Sequence, residues 1–145
     1  MRKFKLNWLE NILVLFFLIS FSSEINAKLP TITIKSCYDG DTCTTIDGEK
    51  IRLACIDTPE LRGEKANPIL AKEARDFLNN LVSNKQVSIR RITFDRYGRT
   101  VGELIKNDIN IQELLVKKGY ANIYKKYADQ CEWTCLLYTS DAADD

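Results

Sequence analysis

Three short runs hold the residues best able to do chemistry: Asp39-Gly40-Asp41-Thr42, then Arg52 followed by Asp57-Thr58-Pro59-Glu60, then Asp95-Arg96-Tyr97-Gly98-Arg99. Carboxylates gathered at one place repel unless something positive lies between them. A hard cation with oxygen ligands does this, and calcium or magnesium suits such a set. Glu60, stiffly linked to Asp57 through Pro59, can face the same place and orient or deprotonate a water. Arg52 and Arg99 carry guanidinium groups, which match a phosphate with two parallel hydrogen bonds and stay charged. Fixed cations of this kind stabilise the charge that grows on a phosphodiester under attack. Taken singly, each residue has a plainer reading. Asp41 is then a turn aspartate, Glu60 a solvated loop acid, and Arg52 the partner of Asp57 or Glu60 in a structural ion pair.

Composition narrows the chemistry further. The chain has 145 residues and no histidine. Ser-His-Asp and Cys-His nucleophile systems, His-ligated zinc and histidine bases are therefore excluded. Lys and Arg number 21 against 20 Asp and Glu, a formal charge of +1. The section from Lys28 to Thr134 is mildly basic, which permits a nucleic-acid partner without demanding one.

The runs need elements to position them. Thr31 to Tyr38 alternates β-branched residues and reads as a strand, Thr42 to Ile46 as a second, and Glu49 to Ile56 as a third after an Asp47-Gly48 hairpin turn. Antiparallel pairing about that turn brings Asp41 and Asp57 to one end of the hairpin. In the third strand Ile51, Leu53 and Cys55 share a face, with Arg52, Ala54 and Ile56 on the other. Asn67-Pro68 opens a helix that Ala71, Ala74, Leu78, Leu81 and Val82 carry at helical spacing to about Ser83. Gln86 to Phe94 and Thr100 to Ile105 are two more strands about a turn. Asn110 caps a second helix that Gly119 stops. Tyr120 to Tyr127 is aromatic and basic, partly a loop. This order fits an α+β, mainly β fold: a five-stranded Greek-key barrel of the OB type with packed helices.

The two ends read differently. Met1 to Ala27 has a basic start, an apolar stretch from Ile12 to Phe21 and a small-residue exit, the pattern of an export signal. That stretch is short of the roughly 20 residues of a membrane span. The expected location is secreted or periplasmic, or membrane-anchored if the signal is not cleaved. Residues 135–145, CLLYTSDAADD, read as foreign, adapter-derived sequence, which makes residues 28–134 the single domain. Cys37, Cys43, Cys55 and Cys131 suit one or two disulfides in an oxidising compartment. Four cysteines allow three full pairings, and nothing in their spacing chooses among them.

DGDT, the R-x4-DTPE run and the D-x-YGR turn, in this order, resemble the staphylococcal nuclease family over roughly Ile32 to Tyr127. The resemblance implies that Asp41, Asp57 and the carbonyl of Thr58 hold Ca2+ and that Glu60 is the general base. Arg52 and Arg99 would bind the phosphate and stabilise the transition state. Tyr97 and Tyr127 would line the nucleotide pocket, where aromatic faces stack on bases. The implied protein is a monomeric nuclease acting on DNA and RNA, without stable membrane association, and leaving 3′-phosphate ends. The alternative is an inactive OB module that binds nucleic acid without cutting it. The family ends in a helix packed on the barrel, and the expectation is that this helix is lost where the foreign sequence starts. The hairpin between Thr42 and Arg52 is also shorter than in the best-known member.

Overall fold

A computed structural model describes residues 28–64 and 66–141. The signal reading at residues 1–27 lies outside them. The strands are β1 (Thr31–Cys37), β2 (Thr42–Thr45), β3 (Lys50–Leu53), β4 (Ile56–Asp57), β5 (Lys85–Phe94), β6 (Thr100–Lys106), β7 (Ile109–Asn110) and β8 (Asn122–Ile123). The helices are α1 (Pro68–Val82), α2 (Ile111–Lys117) and α3 (Glu132–Asp141), with a 3-10 turn at Lys125–Gln130.

Five strands close into a barrel in the order β3-β2-β1-β5-β6, with β7 beyond β6. Closure comes from parallel pairing of β3 with β6, which sets Arg52 opposite Val101 and Leu53 opposite Gly102. Closing a sheet on itself removes its open edges. Ile34, Ile51, Leu53, Val87, Ile89 and Leu104 fill the interior, and Leu78, Val82, Ile111 and Leu115 of the helices join the same core. The barrel with packed helices is the α+β OB architecture that the element order implies.

Local chemistry explains the helices. Asn67 caps α1 by accepting from the Leu70 amide, and Pro68 stands in its first turn, where no amide donor is needed. Ala71, Ala74, Leu78 and Val82 form its buried stripe. Asn110 caps α2 through the amides of Gln112 and Glu113, and Gly119, at φ +76°, follows its end.

Two expectations need correcting. The third strand does not run on to Ile56. It stops at Leu53, and the chain turns through Cys55 at φ +64° before β4 pairs with β8. The Arg52 guanidinium donates to the carbonyls of Leu53 and Ile56 at 2.7 and 3.0 Å and so spans the turn. Cys55 is bonded to Cys131, and Ala54, Cys55 and Ile56 are all buried, so the two-face alternation breaks down here. The closing helix is also present: α3 starts at Glu132 and includes residues read as foreign. Trp133 is buried in the core, its indole Nε1 donating to Glu103 Oε1 at 2.7 Å, and Leu137 packs against the same cluster. Covering apolar barrel surface in this way holds α3 in place.

The cysteines pair as Cys37–Cys43 and Cys55–Cys131. The first encloses the Asp39–Asp41 turn. The second ties the corner after β3 to the start of α3. No helix of the described residues is long and apolar enough to cross a membrane.

Candidate active site

The DGDT turn is shaped from within. Asp39 Oδ1 accepts the amides of Asp41 and Thr42 at 3.1 and 2.7 Å, which folds the chain back on itself. Gly40 sits against α1: a Cβ there would lie 2.8 Å from Thr58 Cγ2 and 2.9 Å from Ala74 Cβ. Only glycine allows that approach. Asn79 of α1 fixes the approach to the turn, with Oδ1 accepting the Cys37 amide and Nδ2 donating to the Cys37 carbonyl.

This packing buries the Asp41 carboxylate. Oδ2 accepts the Thr58 hydroxyl at 2.9 Å, Oδ1 accepts the Thr42 hydroxyl at 3.1 Å, and Arg52 Nη2 stands 3.2 Å from Oδ2. Burial pushes the Asp41 pKa up to about 6 from 3.8; Arg52 and the two hydroxyls oppose the rise, and Asp39 adds to it. The same Arg52 nitrogen lies 3.9 Å from Asp57 Oδ1, so one guanidinium faces both acids. Asp57 itself is largely exposed, at the end of β4.

Arg99 comes from the far side of the β5–β6 turn. Its Nε donates to Asp95 Oδ2 at 2.7 Å, which directs Nη1 to the Thr42 hydroxyl at 3.4 Å. Burial works to raise the Asp95 pKa, but hydrogen bonds from the Arg99 side chain and from the amides of Arg99 and Tyr97 outweigh it, and the net shift is downward. The two arginines therefore reach the β2 end of the barrel from different strands.

The carboxylates of Asp39, Asp41, Asp57 and Asp95 and both guanidinium groups line one cleft of about 850 Å³. Its walls include Asp39, Asp41, Arg52, Asp57, Glu60, Asp95, Tyr97, Arg99 and Tyr127. Glu60 is exposed there, and no ion pair among the described residues engages its carboxylate. Thr58 stands behind the wall, in contact with Asp41. Tyr97 and Tyr127 are both well exposed. Every side chain singled out from the sequence thus lines the cleft or touches a residue that does. Reading the sequence alone overlooked Asp39 and Asp95 as shaping residues, although both stand inside the quoted runs. It also passed over Phe94, Tyr124 and Lys126, which line the same walls.

The donor set bears on calcium. Among the described residues no three acidic or sulfur side chains form a ready cage for a metal ion. The available donors are nevertheless all hard oxygens, and a buried carboxylate with a raised pKa is a group that a cation would stabilise. Asp41 and Asp57 are thus donors of the class that a hard cation takes, its other ligands coming from backbone, water or a substrate phosphate.

The class of protein follows from this barrel and cleft, and the comparisons agree. Residues 50–144 match the family described as staphylococcal nuclease homologue, and the chain belongs to that family. It is 33% identical over 93 residues to an "Uncharacterized endonuclease" of Escherichia coli, covering 61% of this chain and 58% of that one. It is 39% identical over 83 residues to "Staphylococcal-like nuclease CAN1" of Arabidopsis thaliana, covering 57% of this chain and 24% of that one. An "Uncharacterized endonuclease" of Haemophilus influenzae is 32% identical over 124 residues, covering 83% of this chain and 65% of its own. The chain thus spans from about a quarter to about two thirds of the length of these relatives.

Proposed function

We propose that this chain is an exported, monomeric, calcium-dependent phosphodiesterase that hydrolyses DNA and RNA and leaves 3′-phosphate ends. One observation supports it above the others: two arginines from different strands and the carboxylates of Asp41, Asp57 and Glu60 line one cleft. The relatives named endonuclease or nuclease support the same reaction class. Two disulfides suit an oxidising compartment, in keeping with export.

The roles are those that the family resemblance implies, and the cleft geometry supports them. Asp41 and Asp57, with the Thr58 carbonyl, would hold calcium, which supplies positive charge beside the phosphate and acidifies a nearby water. Glu60, exposed and outside the ion pairs, takes the proton of the attacking water. Arg99 is oriented by Asp95 through Nε, which leaves its terminal nitrogens to meet phosphate oxygens. Arg52 exchanges part of its hold on Asp41 for the phosphate as charge builds. Tyr97 and Tyr127 line the nucleotide pocket, where their faces can stack on a base.

The test is digestion of plasmid DNA and of RNA by the purified chain, with calcium and with chelator. Breakdown of both, in calcium only, is the expected result. Equal digestion in chelator overturns the metal assignment. Binding without cutting in calcium returns the chain to the inactive OB module.

A further inference from the structure

The β5–β6 hairpin carries a residue that the proposed reaction leaves unused. Val87 and Ile89 of β5 point into the core. The register then slips: Arg91 faces Gly102, whereas Thr93 faces Val101 and Phe94 faces Thr100. Ile92 is the extra residue of a bulge, and a bulge re-aims the side chains that follow it. Phe94 emerges 70% exposed and lines the cleft, immediately before Asp95. The nearby cleft walls set aromatic rings beside cations. The Arg96 guanidinium lies 4.7 Å from the Tyr97 ring, and the Lys126 ammonium lies 5.2 Å from the Tyr127 ring. Tyr124 and Tyr127 meet edge to face at 5.3 Å. Aromatic faces interleaved with cations suit a single nucleic-acid strand, since every base offers a π-face and every linkage a negative charge.

We propose that Phe94 is a specificity-determining residue: the platform on which an unpaired base stacks, next to the nucleotide whose phosphate meets Arg52 and Arg99. This rests on the phosphodiesterase reading. Bases inside a duplex already have both faces covered, so a paired strand must be unstacked before it can use Phe94.

The test compares two substrates in calcium: a short oligothymidylate and a p-nitrophenyl phosphodiester bearing one nucleoside. Phe94→Ala is expected to raise KM for the oligonucleotide by about ten-fold, with kcat unchanged and the small diester unaffected. Phe94→Trp is expected to keep the wild-type KM. Its added emission should be quenched by the oligonucleotide and not by the same backbone with abasic sites. Equal KM in wild type and Phe94→Ala overturns the proposal, as does a loss on both substrates, which marks a structural role. If the wild-type chain cleaves neither substrate, the phosphodiesterase reading itself fails.

Discussion

Burial sets the proton affinity of Asp41, and this has a measurable consequence. Its pKa is 3.8 when unfolded and about 6 in the fold. The folded chain therefore holds the extra proton between those values, and stability falls as pH rises through them. At neutral pH the ionised group costs the metal-free fold about 3 kcal/mol. Glu49 and Asp95 are shifted downward, so their contribution is present above their ordinary values of 4.5 and 3.8 and leaves the window from there to about 6 to Asp41. In chelator, thermal melts should show a more stable chain at pH 5 than at pH 7, and Asp41→Asn should flatten that slope. A slope unchanged in the variant would refute the assignment. Other cleft groups report on chemistry instead: Glu60, which is exposed, and the part-buried pair Arg99 and Asp95. Glu60→Gln and Arg99→Ala should each lower turnover by about 10² or more while leaving the melting curve near wild type. Asp95→Ala should give a smaller loss of the same kind, because Arg99 keeps its charge and loses its aim. Near-wild-type rates in all three would refute the roles given to Glu60, Arg99 and Asp95.

The elements show how much of this was legible beforehand. Period-2 alternation and the Asp47-Gly48 turn brought Asp41 and Asp57 to one hairpin end; Arg52, paired with Thr42, does face both acids, but Asp57 arrives from β4, beyond the break after Leu53. The helix over Pro68–Val82 followed from its cap and its apolar spacing. The break after Leu53 was not legible, because it depends on Arg52 reaching two carbonyls and on a partner for Cys55 that is 76 residues away. The burial of Trp133 was hidden for a like reason: its hydrogen-bond partner, Glu103, is on a distant strand, where Arg90 and Asn110 also bind it. Local periodicity carries no record of such long-range partners. The Cys55–Cys131 link closes the longer loop, so its removal has the larger entropic effect. Denaturant titration of Cys55→Ser/Cys131→Ser should show a loss on the order of 4 kcal/mol relative to the oxidised parent. A midpoint unchanged within error would mean that the corner and α3 hold without it.

At the scale of the whole molecule, charge is nearly balanced, at +1. Attraction to a polyanion must then come from the few cations in the cleft, namely Arg52, Arg96, Arg99 and Lys126. Releasing counterions from about four phosphates predicts a slope of log affinity against log salt near −3 for single strands. Anisotropy of a labelled oligonucleotide across salt concentrations measures it. A slope near −8 would place the contact surface far beyond the cleft.

The two cross-links join the pieces that matter: one rings the turn bearing Asp41, the other anchors the corner between Arg52 and Asp57. A newly made chain surrounded by glutathione would have neither. The turn bearing Asp41 and the corner beside Asp57 would then rest on packing and hydrogen bonds alone, as a hinge does once its pin is drawn.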